Sequence, residues 1–178
     1  MIVNQLGDTG VSMVKFIVDE MLGNIVRWLR ILGFDTLAAS SLRQRDGEDI
    51  DTKILFKALD EGRVLVTADV NLVSRAERLG IKVIAVDARE REVCSVLRGI
   101  LKTLNIFDEA REHLMSRCPV CNGVLRKASR SEVEGKVPTG VWERVHGFWV
   151  CTKCGKVYWI GSHFRGIRKT LSCIFSGD

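Results

Sequence analysis

The sequence predicts an α/β fold, with a parallel sheet that carries helices on both faces, followed by a small second domain. The first expectation rests on residues 14–112, where strand-like and helix-like segments alternate with short links between them. Such alternation is typical of parallel strands joined by crossover helices. The second rests on two Cys-x-x-Cys pairs within residues 114–165. The chain has 178 residues, of which 46% are hydrophobic, so it is long enough for both units.

The first half of the sheet is predicted from two short runs. Residues 15–18 form the first apolar run, and apolar residues then recur at helical spacing from Leu22 to Leu32. Gly33 is expected to end this helix, because glycine readily adopts the left-handed conformation found at helix C-termini. Residues 35–39 predict a weaker second strand.

The second half repeats the same cycle along the chain. A helix predicted at 51–61 leads to a strand at 64–67, and a helix at 71–79 leads to a strand at 82–86. A final helix is predicted at 90–104. The links are short throughout, so the strands are expected to lie side by side in one sheet.

Acidic residues follow three of these strands. Asp19, Asp69 and Asp87 stand at carboxyl ends, which meet at one edge of a parallel sheet and form its usual ligand site. Asp51, at the start of a helix, is expected to join them. Clustered carboxylates are stable only with a cation, and hard oxygen ligands with open positions select Mg²⁺ or Mn²⁺. These four acids are therefore the candidate catalytic residues.

A plain structural role is the alternative for two of them. Asp87 opens the run Asp87-Ala88-Arg89-Glu90, which has the form of a helix capping box. Asp51 also fits an ordinary helix N-cap. Asp19 and Asp69 each follow an apolar strand without an obvious capping pattern, which favours a functional role for both.

The two Cys-x-x-Cys pairs predict a structural zinc site. A tetrahedral ion takes two thiolates from each of two turns, and each pair here is followed by turn residues, Asn122-Gly123 and Gly155. A disulfide pair or a redox dithiol is the alternative. The expected ligands are Cys118, Cys121, Cys151 and Cys154. Of the other cysteines, Cys94 is expected to be a buried apolar residue with a free thiol, and Cys173 is left undecided.

Positive charge is concentrated after residue 113. Residues 114–178 contain 11 Lys and Arg against 4 Asp and Glu, a net charge of +7, within a whole-chain charge of +5. A small basic unit of this kind is typical of a phosphate-binding surface, although a merely soluble face is the alternative. Aromatic residues among these cations could stack on bases, or they could form the core of the small second domain. The candidate nucleic-acid contacts in this region are Lys153, Lys156, His163 and Arg165. Arg27 and Arg30, one turn apart near Asp19, are two further candidates, although a solvated helix face is the alternative for them.

Several segments together resemble one known family. The stretch from Phe16 to Thr36, the run Glu61-Gly62-Arg63-Val64-Leu65-Val66-Thr67-Ala68-Asp69, and the ribbon motifs around Cys118 and Tyr158 are similar to the Mut-seven C-terminal RNase domain family. That family combines a PIN-like nuclease fold with a zinc ribbon. The resemblance implies that Asp19, Asp51 and Asp69 bind magnesium or manganese for RNA cleavage. The chain departs from related PIN-like domains at Ala68 and Asn71.

These observations predict a cytoplasmic, divalent-metal-dependent ribonuclease with a PIN-like domain at 14–112 and a zinc ribbon at 114–165. The expected partner is single-stranded or structured RNA, with neither a membrane nor a dinucleotide cofactor. Residues 1–13 are expected to be a dispensable extension, and 166–178 a C-terminal tail. The main alternative is a non-catalytic RNA-binding or ribosome-associated module, which Asn71 favours. A receiver-like phosphoacceptor using Asp19 has little other support.

Overall fold

The computed structural model describes residues 13–43, 49–90, 92–161 and 164–176. Its centre is a parallel sheet of β1 (Lys15–Val18), β2 (Asp35–Ala38), β3 (Val64–Thr67) and β4 (Val83–Ala85). The strand order is β2-β1-β3-β4, and all three neighbouring pairs are parallel. The predicted α/β class with a parallel sheet is therefore confirmed.

Five helices follow or connect these strands. They are α1 (Gly23–Ile31), α2 (Ile50–Glu61), α3 (Val70–Arg78), α4 (Val93–Leu104) and α5 (Phe107–Glu112). In the part of the chain that the structure describes, no helix is both long enough and apolar enough to cross a membrane. The predicted extension at 1–13 falls outside the described residues except for Met13.

The sheet has a separate apolar core on each face. Phe16 and Val18 of β1 are fully buried in one cluster with side chains of α1 and α4. Ile17, between them, is fully buried in a second cluster with side chains of α2 and α3. Successive residues of a strand point to opposite faces, so this alternation places helices on both sides of the sheet, as predicted.

The second part of the chain contains an antiparallel sheet. It consists of β5 (Leu125–Ala128), β6 (Phe148–Cys151) and β7 (Val157–Trp159), in that order. Between β5 and β6 the chain forms two short helices, α6 (Arg130–Val133) and α7 (Thr139–Arg144). Phe148 is fully buried and packs with Trp142 and Trp159, so part of the aromatic set is the core of this sheet.

The cysteine loops lie against the parallel sheet and are not a separate C-terminal domain. The Arg30 guanidinium of α1 donates to the carbonyls of Val120 (2.8 Å) and Pro119 (3.3 Å) in the first cysteine loop. In the same loop, the Asn122 side chain accepts the Thr36 amide at 3.1 Å. The expected separation into two units is wrong on this point, because hydrogen bonds from α1 and β2 hold the loop inside one domain.

Arg30 itself has a different role from the RNA contact that was expected. Only 9% of the residue is exposed, and its Nε donates to the Thr36 carbonyl at 3.0 Å. All of these acceptors are backbone oxygens of the protein. The guanidinium therefore positions the cysteine loop, and its burial makes it a poor contact for a phosphate.

The chain end returns to the first core. The segment expected as a tail contains most of α8 (Phe164–Phe175), whose Leu171 and Ile174 are buried in the cluster that includes α4. Cys173 of α8 forms a disulfide with Cys94 of α4. The expectation of a free thiol at Cys94 is therefore wrong, since its partner is 79 residues away in sequence and is brought close only by the packing of α8.

A buried ion pair joins the strands near the start of the sheet. Arg63, 7% exposed, donates to the Asp35 carboxylate at 2.9 Å and to the Phe16 carbonyl at 3.1 Å. Asp35 also accepts the side-chain amide of Asn122 at 2.8 Å. Burial by itself raises the pKa of Asp35, but the hydrogen bonds from Arg63 and Asn122 outweigh it and hold this pKa below its usual value. The stabilising contribution of this carboxylate is thus present at neutral pH and lost as the pH falls through its lowered pKa.

Replacing Arg63 with methionine should destabilise the protein strongly. The change leaves Asp35 charged, partly buried and without its main partner, a defect that typically costs about 3–5 kcal/mol. Urea denaturation at pH 7 measures the loss. Arg43→Met is the matched control, because Arg43 makes an exposed pair with Glu20 and its loss should be barely measurable. Equal losses in the two variants would contradict this role for Arg63.

Candidate active site and metal centre

The parallel sheet has its switch point between β1 and β3. From β1 the chain continues to β2 on one side, whereas from β3 it continues to β4 on the other. In open α/β sheets, ligands bind in the crevice beyond the carboxyl ends of the strands at such a point. Asp19 directly follows β1, and Asp69 follows β3 after one intervening residue, Ala68. The two acids therefore flank the crevice.

Thr67 links these two acids. Its hydroxyl donates to Asp19 Oδ2 at 2.8 Å and accepts the backbone N–H of Asp69 at 3.0 Å. The residue is fully buried at the end of β3, so its hydroxyl has a fixed position. A hydrogen bond from Asp19 N–H to the Val66 carbonyl, at 3.0 Å, continues the ladder between β1 and β3. The backbone and Thr67 together hold the two acids next to each other.

Both acids also cap helical turns. Asp69 Oδ1 accepts the amides of Asn71 (2.7 Å) and Leu72 (3.2 Å) at the start of α3. Asp19 Oδ1 accepts the Glu20 amide at 2.6 Å, at the start of a short 3₁₀ turn. Neither residue shows an obvious capping pattern in the sequence. These amides orient the carboxylates.

Asp51 lies in the first turn of α2 but does not cap it. The N-cap is Asp49, which accepts the Thr52 amide at 3.2 Å. Arg75 of α3 reaches across, with its Nη1 3.1 Å from Asp51 and 3.5 Å from Asp49. The capping alternative for Asp51 is therefore wrong, and its carboxylate instead lies between the two helices.

The electrostatic surroundings connect Asp51 to the other acids. Burial and the charge of Asp49 raise the pKa of Asp51 above its usual value. Arg75 lowers this pKa in part, while the charges of Asp69 and Asp19 raise it further. Asp51 is thus close enough to Asp19 and Asp69 for their negative charges to affect its pKa. Among the described residues, however, Asp19, Asp51 and Asp69 do not form a group whose oxygens converge closely enough to hold a metal ion.

Asp87 forms a turn of its own. Its Oδ1 accepts the Arg89 amide at 2.9 Å, and its carbonyl accepts the Glu90 amide at 2.9 Å. The N-cap of α4 is Glu92, so the predicted capping box at Asp87 is wrong. Within the described ranges, no contact joins Asp87 to Asp19, Asp51 or Asp69.

The four predicted zinc ligands converge. The sulfurs of Cys118, Cys121, Cys151 and Cys154 all lie within 4.8 Å of one another. Cys118 and Cys154 are 3.8 Å apart, and Cys121 and Cys151 are 3.4 Å apart. Tetrahedral zinc with Zn–S bonds of about 2.3 Å needs sulfurs about 3.8 Å apart. In the described part of the chain, no other group of three or more His, Cys, Asp or Glu residues converges in this way.

The surroundings of the sulfurs fit a bound cation. The Cys121 amide lies 3.5 Å from the Cys118 sulfur, and the amides of Lys153 and Cys154 each lie 3.4 Å from the Cys151 sulfur. Burial raises the pKa of Cys118, but hydrogen bonds from the Tyr158 hydroxyl and nearby amides lower it to about 6. These donors stabilise thiolates, which are the form that binds zinc.

Gly123 permits the close approach of the two loops. A Cβ at this position would lie 2.7 Å from the Cβ of Lys153 and 2.8 Å from the sulfur of Cys151. Both distances are too short for carbon beside carbon or sulfur. Glycine is therefore required where the first cysteine loop crosses the second.

The remaining candidate RNA contacts are distributed over three regions. Arg27 is exposed on α1, Lys153 and Lys156 are exposed around the turn between β6 and β7, and Arg165 is exposed on α8. His163 lies outside the described residues. Neither Thr67 nor Arg75 was a sequence-based candidate. The only sequence signal for Thr67 is its place two residues before Asp69 at a strand end.

Comparison with known proteins gives one match. The family model described as Mut7-C RNAse domain matches residues 14–171, which include the sheet, the acidic residues and the cysteine loops. No curated protein and no solved structure matches the chain.

Replacing Gly123 with alanine should remove the metal from the cysteine cluster. The added methyl group meets the Cys151 sulfur and must displace it. Zinc content, measured by elemental analysis, should fall in Gly123→Ala as it does in Cys151→Ser. Gly99→Ala is the matched control, because no atom lies within 4 Å of a Cβ at that position in α4. Full zinc content in Gly123→Ala would show that the cluster is not held as described.

Proposed function

Because the chain belongs to the Mut7-C RNAse domain family, we propose that it is a divalent-metal-dependent ribonuclease with a PIN-like acidic centre. The family indicates a nuclease that acts on RNA. The observation that carries the metal-dependent reading is the pair of carboxylates at the switch point, tied together by the Thr67 hydroxyl. Asp51 lies near this pair and completes the proposed centre.

Each residue has a separate part in the proposed reaction. Asp19 and Asp69 would hold magnesium or manganese, with Thr67 keeping their oxygens in place. Such an ion would polarise the phosphodiester and make a bound water more acidic. The raised pKa of Asp51 suits it to accept the proton that the attacking water loses. Arg75 donates hydrogen bonds to Asp51 and Thr52, and it would be free to attract a phosphate once a bound cation neutralises the acids.

The two departures at Ala68 and Asn71 are compatible with this centre. The main chain of Asn71 supplies the amide that orients Asp69, and this contact does not depend on the side chain. An acid at position 71 would add another negative charge to the crevice. Its absence favours the second candidate function, a non-catalytic RNA-binding or ribosome-associated module. Cleavage assays separate the two.

RNA binding is assigned to the basic surface after residue 113. Lys153, Lys156 and Arg165 are exposed there, and residues 114–178 carry a net charge of +7. Long-range attraction of the RNA backbone to this surface would hold single-stranded or structured substrate. A structural zinc at the cysteine cluster and a cytoplasmic location are further parts of the proposal. The Cys94–Cys173 disulfide argues against the cytoplasmic location, because disulfides are rare in reducing compartments.

Asp19→Asn and Asp69→Asn should each lower cleavage by orders of magnitude while RNA binding persists. Each change removes a charged metal ligand and keeps the size of the side chain. Cleavage of a labelled RNA is measured with and without Mn²⁺, and binding is measured on the same RNA. Asp60→Asn, an exposed carboxylate in the last turn of α2, is the control and should cleave like the parent. If both site variants cleave at the parent rate, the nuclease proposal fails and the binding module replaces it.

Asp51→Asn should abolish cleavage without lowering the stability of the protein free of magnesium and manganese. Because the folded state raises the pKa of Asp51, its charge opposes folding, and this penalty grows as the pH rises through the raised pKa. Asp35→Asn is the contrasting variant, because the lowered pKa of Asp35 marks a stabilising charge. Urea denaturation at pH 7 should therefore show a loss for Asp35→Asn alone. A comparable loss in Asp51→Asn would identify Asp51 as a structural acid.

A further inference from the structure

A cavity of about 300 Å³ lies where the antiparallel sheet, α1 and α8 meet. Its lining residues include Trp149 and Tyr158 of β6 and β7, and Phe164 and Ile167 of α8. This volume is at the lower end of the range for small-molecule sites, about 300–1,000 Å³. The cavity is therefore suited to one flat group of modest size.

The charged residues at the cavity have one sign. Arg27 of α1 and Lys156 of the β6–β7 turn line it, and no Asp or Glu is among its lining residues in the described chain. An apolar side chain of a partner protein would make no favourable interaction with the two cations that line the cavity. A base attached to a phosphodiester backbone has use for both features, because its face stacks on aromatic rings and its phosphates pair with the cations.

The walls are held in place from several directions. The Tyr158 hydroxyl is hydrogen-bonded to the Cys118 sulfur at 3.0 Å, so the cysteine cluster fixes this ring. The α8 wall is fixed by the burial of Leu171 and Ile174 and by the disulfide from Cys173 to Cys94. A preformed aromatic pocket binds with little loss of side-chain freedom.

The cavity is also close to the acidic centre along α1. This helix begins at Gly23, just after the turn that Asp19 caps, and Arg27 stands four residues further on. Four residues of α-helix span about 6 Å along the axis. A strand whose phosphate contacts Arg27 can therefore extend from the cavity toward Asp19 without a long detour.

We propose that this cavity binds one nucleobase of single-stranded RNA, a few nucleotides from the bond to be cleaved. The inference rests on the proposed function and adds to it a subsite for the substrate. The aromatic rings recognise the base, whereas Arg27 and Lys156 contact the adjoining backbone. Base stacking here makes affinity depend on the presence of a base, beyond the charge of the strand.

Tryptophan fluorescence tests this directly in the full-length, zinc-containing protein without added magnesium or manganese. A short oligouridylate should quench the fluorescence, and an abasic oligonucleotide of equal length should not. Trp149 and Trp159 line the cavity, whereas Trp142 does not and instead lies under Arg130, 4.5 Å from the ring centre. Trp149→Phe should therefore reduce the quenching, and the matched control Trp142→Phe should retain it.

Affinity gives the second readout. Loss of one stacked base typically weakens binding by about five- to a hundredfold, which is the expected gap between the oligouridylate and its abasic counterpart. Filling the cavity with Ile167→Trp should close this gap, while Ser172→Trp, at an exposed position of α8, should keep it. The slope of log Kd against log salt should be equal for both oligonucleotides, because the phosphates are the same.

The outcomes separate this inference from the proposed function. Equal affinity for the two oligonucleotides, or an affinity gap that survives in Ile167→Trp, overturns the cavity assignment even if the protein cleaves RNA. Discrimination between them in a protein that never cleaves RNA supports the cavity and overturns the nuclease. Zinc content and thermal unfolding of each variant, compared with the parent, show whether a change in binding reflects loss of the fold.

Discussion

The buried Asp35–Arg63 pair is the constraint on which the rest of the architecture depends. Two charges taken out of water are tolerated only when both have a full set of partners. Arg63 finds them in Asp35 and in the Phe16 carbonyl, and Asp35 finds a second partner in Asn122 of the first cysteine loop. The loop must therefore lie against the sheet for Asp35 to be satisfied. This requirement, together with Arg30, makes the cysteine cluster part of the main domain.

The same sheet carries acids with opposite effects at its two ends. Near the start of the strands, Asp35 has a lowered pKa and stabilises the fold through its charge. Beyond the carboxyl ends, Asp51 has a raised pKa, because burial and neighbouring acids disfavour its charged form. An unfavourable cluster of like charges at a switch point is typical of a functional site, because a cation or substrate relieves it. The Asp35 charge helps to stabilise the sheet, and the sheet in turn holds the acids beyond its carboxyl ends near one another.

The metal cluster connects the fold to the proposed RNA surface. Cys118 is fully buried and accepts a hydrogen bond from Tyr158, whose ring faces the aromatic cavity, while the loop that follows it is bound by Arg30 of α1. Helix α1 also starts beside Asp19 and carries Arg27. A single helix therefore begins near Asp19, binds the cysteine loop and contributes to the cavity lining. Loss of the metal should disturb the RNA surface more directly than it disturbs the sheet.

The sequence by itself determined the features that depend on local pattern. Short apolar runs and helical spacing predicted the four parallel strands and their helices. The placement of Asp19 and Asp69 after strands predicted their proximity, because parallel strands end at one edge. Cysteine spacing likewise predicted the cluster. The tertiary structure alone decided the burial of Arg30, the disulfide of Cys94 with Cys173, and the hydroxyl bridge of Thr67. It also decided that Asp49, and not Asp51, caps α2. The buried and bridging contacts join residues far apart in sequence, and the choice of cap turns on where α2 begins against the sheet, so no local pattern encodes them.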